Sequence, residues 1–133
     1  MTGRLEEVKV PLKISPEQMA IYRATAQRRR QQKARELALR HQRAWAIAQQ
    51  AGQILKEQFG AERVVAFGSV LSADRFHQRS DVDLAIWGLD EKFYYRAVSR
   101  LLDLDPTIPV DLVEAELAPP ALQAIIEQEG VSV

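Results

Sequence analysis

The sequence predicts an α/β (α+β) chain: a small mixed β-sheet with three carboxylates on one face and helices packed behind it, preceded by a long basic N-terminal helix. Three observations carry this. Val64-Val65-Ala66-Phe67, Asp81-Val82-Asp83-Leu84-Ala85-Ile86 and Val110-Asp111-Leu112-Val113 are short runs that read as strands, the first β-branched and stopped by Gly68, the second alternating acid and hydrophobe. Helical periodicity separates the last two runs and follows the third. Residues 16–59 contain no proline after Pro16 and one glycine, Gly52, and are rich in Ala, Gln, Arg, Leu and Glu.

In chain order, Val8, Val10, Leu12 and Ile14 alternate with Lys9, Pro11 and Lys13, the pattern of a short extended segment that Pro11 confines to an edge. Ser15-Pro16-Glu17-Gln18 opens the long helix, with Ser15 as N-cap, Pro16 in the first helical position and Gln18 closing a capping box. A helix over residues 16–59 would be roughly 65 Å long, so a bend, a break or a bound partner is expected along it. Leu37, Ala44, Ile47, Ala48, Ala51, Ile54 and Leu55 form a stripe fit to pack on the sheet. Residues 23–43 carry Arg23, Arg28, Arg29, Arg30, Lys33, Arg35, Arg40 and Arg43 against Glu36 alone. A solvated helix face competes there with docking to an acidic partner or nucleic acid. Gly60 ends the helix. Residues 90–104 read as an amphipathic helix with Phe93, Ala97, Leu101 and Leu104 on one face, and Pro119-Pro120 opens a last helix stopped by Gly130.

At 133 residues the chain suits one domain, divided into an extension at residues 1–60 and a core at residues 61–133. The zero net charge conceals an asymmetry. Residues 1–60 hold 12 Lys/Arg and 5 Asp/Glu, whereas residues 61–133 hold 6 and 13. With no cysteine, thiol nucleophiles, disulfides and zinc–thiolate centres are excluded. No apolar run is long enough for a membrane helix, and a cytoplasmic location is the default expectation.

Chemistry concentrates at residues 63–86. The first run ends at Gly68-Ser69, a turn whose free backbone N–H groups suit phosphate oxygens and where Ser69 could cap a helix. Alternation in the second run puts Asp81 and Asp83 on one face and Val82, Leu84 and Ile86 on the other. No cation nearby in sequence serves both acids, and hard oxygen donors of this kind suit Mg²⁺. Ala85 would leave room beside the metal, and Trp87 could wall the pocket. A neighbouring strand could add Asp111. Three carboxylates, a phosphate-holding turn and metal form a constellation for two-metal phosphoryl or nucleotidyl transfer. In the intervening loop, Arg75 and Arg79 could meet phosphate, while His77 reads as an exposed loop histidine.

Gly68-Ser69, eleven residues, Asp81-Val82-Asp83-Leu84 and a later Val-Asp-Leu together resemble the DNA polymerase β-like nucleotidyltransferase superfamily, in its minimal nucleotidyltransferase branch. The resemblance covers residues 61–133. Val70 stands where many members carry a basic residue. The resemblance implies a nucleotidyltransferase fold, two Mg²⁺ ions held by Asp81, Asp83 and Asp111, and ATP whose β- and γ-phosphates rest on Gly68 and Ser69. It also implies a HEPN-type toxin as partner and acceptor of AMP, with Asp111 helping to deprotonate the acceptor hydroxyl. An antitoxin that neutralises its partner by binding alone is the alternative, and self-association stays open.

Overall fold

A computed structural model describes residues 13–133, so the extended segment expected over residues 8–14 lies largely outside the described residues; Ile14 itself is exposed coil. The chain divides into two compact units, Met1–Glu36 and Leu37–Val133. Helix α1 (Pro16–Phe59) contributes to both. Among the described residues, no helix is long and apolar enough to cross a membrane.

In the first unit the helix start is the expected capping box: Gln18 N donates to Ser15 Oγ at 3.1 Å, and Ser15 N donates to Gln18 Oε1 at 3.0 Å. Helix formation then proceeds without a break, because nothing from Pro16 to Phe59 removes a backbone donor inside the helix. Arg23, Arg28, Arg29, Arg30, Lys33 and Arg35 are all exposed, as are Ile21 and Tyr22.

The second unit contains a four-stranded sheet of order β3-β2-β1-β4, built from β1 (Arg63–Phe67), β2 (Val82–Trp87), β3 (Val110–Glu114) and β4 (Val131–Ser132). β1 pairs antiparallel with β2 and β4, whereas β2 and β3 are parallel. A parallel pair needs a crossover, and α2 (Tyr94–Leu102) supplies it. β4 was not expected: two residues after Gly130 carry no periodicity to read.

One sheet face, with Val64, Ala66, Val82, Leu84, Ile86, Val110 and Leu112, packs on Ala44, Ile47, Ala48, Ala51 and Leu55 of α1 and on Ala97 and Leu101 of α2. Leu55, Leu84, Ile86 and Leu101 are fully buried there, each worth roughly 1.5–3 kcal/mol relative to exposure. α3 (Pro120–Glu129) covers part of the other face, its Ile126 and Leu122 meeting Val65, Phe67, Ala85, Val113 and Trp87. This is the face of Asp83 and Asp111, so the helices are not all behind the acids. Gly52 lets the chain end approach α1: a Cβ there would lie 2.7 Å from the Val133 carbonyl carbon.

Candidate active site

Strand register brings the acids together. Asp83 pairs with Asp111 across the parallel β2–β3 ladder and with Phe67 across β1, so the two carboxylates share a face beside the exit from β1. Gly68 follows immediately, with φ +79, a left-handed conformation natural to glycine. A Cβ on Gly68 would lie 2.7 Å from Asp83 Oδ2, which measures how closely the turn and the carboxylate approach. Val65 and Phe67 occupy the same face further along and go under α3.

Asp81 stands one residue before β2 and is exposed, as is Asp111, while Asp83 is half-buried. Burial above all, then the charges of Asp111 and Asp81, push the Asp83 carboxyl up to about 6. All three acids are therefore within electrostatic reach, and among the described residues none of them joins a salt bridge. Nor, among those residues, are three acidic, histidine or cysteine side chains gathered into a ready-made metal cage. The donor set is all hard oxygen with a destabilised central carboxylate, which fits Mg²⁺.

Several expected surroundings differ. Gly68–Leu71 is a single 3₁₀ turn, so no α-helix begins at Ser69, and the turn has no side-chain cap. Ala85 leaves no free space beside the acids, being fully buried under α3. Trp87 lies at the opposite end of β2 from Asp83, stacked under the Arg63 guanidinium at 4.3 Å; it does not wall the acid site. Arg75 ends on Glu129 at 3.6 Å, tying the loop to the end of α3. His77, by contrast, is an exposed loop histidine as expected, its Nδ1 accepting from Arg79 N at 3.2 Å. Val70, in the position of the missing basic residue, is buried in the core behind the sheet.

Three groups near the site were not assigned to it from sequence, although Arg40 was counted in the basic run. Tyr94 donates its hydroxyl to Leu112 O at 2.7 Å, holding α2 to β3 beside Asp111; burial, then Glu114 and Asp111, push its phenol up. Arg40 donates to Thr107 O at 2.8 Å and Ser80 O at 3.2 Å. His41 Nε2 lies 2.7 Å from Val70 O; since a carbonyl only accepts, that nitrogen carries the hydrogen. A signal for His41 existed: 37, 41, 44, 48, 51 and 55 alternate steps of four and three, so His41 falls within the buried stripe.

A mixed sheet that presents two paired aspartates beside a glycine turn, with a third aspartate just ahead, has the architecture of a nucleotide-transferring domain. Residues 49–133 match the sequence profile described as Polymerase beta, Nucleotidyltransferase, and the chain belongs to that family. No match is found among curated protein sequences. Among solved structures the chain is similar to a toxin-antitoxin complex with AMP-PNP, at 23% identity and TM-score 0.50, covering 60% of this chain and 66% of that one. A second is a toxin-antitoxin MntA-HpeT mutant with two Asp-to-Glu changes, at 20% identity and TM-score 0.50, with the same 60% and 66% coverage. A third, MntA-HepT, has 18% identity and TM-score 0.49, covering 66% and 69%. The match thus spans just under two thirds of the first two chains, and at these identities the likeness concerns the nucleotidyltransferase fold.

Proposed function

We propose that this chain is a Mg²⁺-dependent nucleotidyltransferase that moves AMP from ATP to a partner protein, a HEPN-type toxin, and so acts as the antitoxin of a toxin–antitoxin pair. The observation that carries the reading is the register of Asp83 on Asp111 with Gly68 against the Asp83 carboxylate. The adenine donor and the toxin acceptor are suggested by the similar complexes, one with AMP-PNP and all of them toxin–antitoxin assemblies.

In this reading Asp81, Asp83 and Asp111 hold the metal, and Gly68 and Ser69 present the turn backbone to the β- and γ-phosphates. Bound Mg²⁺ would supply charge neutralisation at the phosphates. Asp111, exposed at the start of β3, accepts the proton of the acceptor hydroxyl at a carboxylate oxygen. The hydroxyl oxygen bonds to the α-phosphorus, the bond from that phosphorus to the β-bridging oxygen breaks, and pyrophosphate leaves with the electron pair. Gly68, lacking a side chain, lets the phosphates come close to the acids.

Incubating the protein and its co-purified partner with α-labelled ATP and Mg²⁺ tests this. Label should appear on the partner, and Asp81→Asn, Asp83→Asn or Asp111→Asn should each abolish it while the fold persists. Partner neutralisation by the triple Asn protein, with no labelling by the wild type, would instead establish the binding-only antitoxin.

A further inference from the structure

The geometry points to Arg40 and His41 of α1 as positioning residues for two separate halves of the candidate site: Arg40 for the metal-binding acids and His41 for the phosphate turn. This rests on the reading of the site given above and adds residues to it.

Asp83 and Asp111 are placed by the β2–β3 ladder. Asp81 is not, because it precedes β2; its position depends on Ser80 and Val82 on either side. Val82 N donates to Pro109 O at 3.0 Å. Ser80 is buried, 4% exposed, and its Oγ accepts from His77 N at 2.9 Å. Ser80 N donates to His77 O at 3.0 Å, and among the described residues the tie from this segment to α1 is Arg40, whose Nη2 donates to the Ser80 carbonyl while Nη1 donates to the Thr107 carbonyl. A planar guanidinium fixes two acceptors at a set separation, which a flexible ammonium cannot do. One side chain thus joins the segments leading into both acid-bearing strands. The second segment is itself stiffened: Asp105 Oδ1 accepts from Thr107 N at 2.8 Å and Oγ1 at 2.6 Å, and Arg43 Nη2 donates to Thr107 Oγ1 at 3.2 Å. Those two Thr107 bonds, ahead of the smaller effect of Arg43, hold the Asp105 carboxyl below the usual carboxylate range.

His41 acts on the other half. Its Nε2–H reaches the carbonyl of Val70, the residue after Gly68-Ser69, inside the 3₁₀ turn. Phe76, 2% exposed, packs on both residues, 5.1 Å from the His41 ring and 6.0 Å from the Arg40 guanidinium. Arg40 is half-buried, and its buried Nε has no hydrogen-bond partner among the described residues, a local desolvation cost that a solvated surface arginine would not incur. A charge held in such a place by two backbone carbonyls has a structural task local to these loops.

The test uses the full chain and two binding probes, Mn²⁺ alone and AMP-PNP with Mg²⁺. Arg40→Met should weaken Mn²⁺ binding at least about ten-fold, the scale of lost outer-shell support for metal ligands, and Arg40→Lys should recover part of it. His41→Leu should weaken AMP-PNP binding while leaving Mn²⁺ affinity unchanged, and His41→Gln, which keeps a donor for the Val70 carbonyl, should restore nucleotide binding. If the Met or Leu variant does not fold, the Lys and Gln variants carry the comparison against wild type, with a partial Mn²⁺ loss for Lys and none for Gln. In folded variants, unchanged Mn²⁺ affinity in Arg40→Met, or a His41→Leu protein that loses Mn²⁺ as much as AMP-PNP or loses neither, overturns the positioning roles. Failure of the wild type to bind either probe would sink the site reading itself.

Discussion

Asp83→Asn should stabilise the metal-free protein at alkaline pH and do nothing for it in acid. The half-buried carboxyl is pushed from 3.8 to about 6 by burial, Asp111 and Asp81. A raised folded-state value means that relative stability is fully present well below pH 3.8, where the acid is protonated in both states, and is lost as pH rises through about 6. Two units at about 1.4 kcal/mol each give an upper bound near 3 kcal/mol, which solvent screening of a partly exposed group reduces to about 1–2 kcal/mol. For a chain of this length that is a gain of roughly 3–8 °C in melting temperature. Thermal unfolding of both proteins with EDTA at pH 3 and pH 8 measures it: the curves should coincide in acid and separate in base. Adding Mg²⁺ at pH 8 should reverse the order, because only the wild type keeps its full set of ligands and gains their binding energy. Identical melting at pH 8 without metal, or a difference that ignores pH, would refute the claim that Asp83 is a charge held against its environment.

Gly68→Ala should raise the nucleotide KM at least about ten-fold and cost about 1–3 kcal/mol of stability, since it combines a positive φ with a Cβ 2.7 Å from Asp83 Oδ2; steady-state kinetics and melting check both. Gly52→Ala should destabilise by about 1–2 kcal/mol in urea, despite alanine's helix propensity, because the Cβ would crowd the Val133 backbone at 2.7 Å. Replacing Arg28, Arg29 and Arg30 together by Gln should lower partner capture and flatten its salt dependence without changing AMP-PNP affinity; unchanged capture at low and high salt would remove the docking role of the exposed basic face.

Local chemistry was legible, and contacts distant in sequence were not. The capping box at Ser15 and Gln18 is a three-residue interaction, and the Asp83 strand is a two-residue alternation, so each was complete in a short window. The pairing of Asp83 with Asp111 was legible because each stands in a short apolar run, and neighbouring strands can bring two such acids to one sheet face. By contrast, Trp87 was placed by strand alternation alone, which assigns a face but not a position along it; α3 then closed that face between the acids and the tryptophan. The basic run shows the same division. Arg28 and Arg30 are exposed, as a solvated face predicts, whereas Arg40, with the same side chain in the same helix, reaches carbonyls 40 and 67 residues away. Composition treats these arginines alike. Periodicity separates them, because Arg40 and His41 lie one turn ahead of Ala44 on the side of α1 that meets the sheet, where a polar group must find a partner or bear its desolvation. Polar residues inside an otherwise apolar stripe therefore mark where a helix grips loops, and here the gripped loops carry Gly68, Ser69 and Asp81.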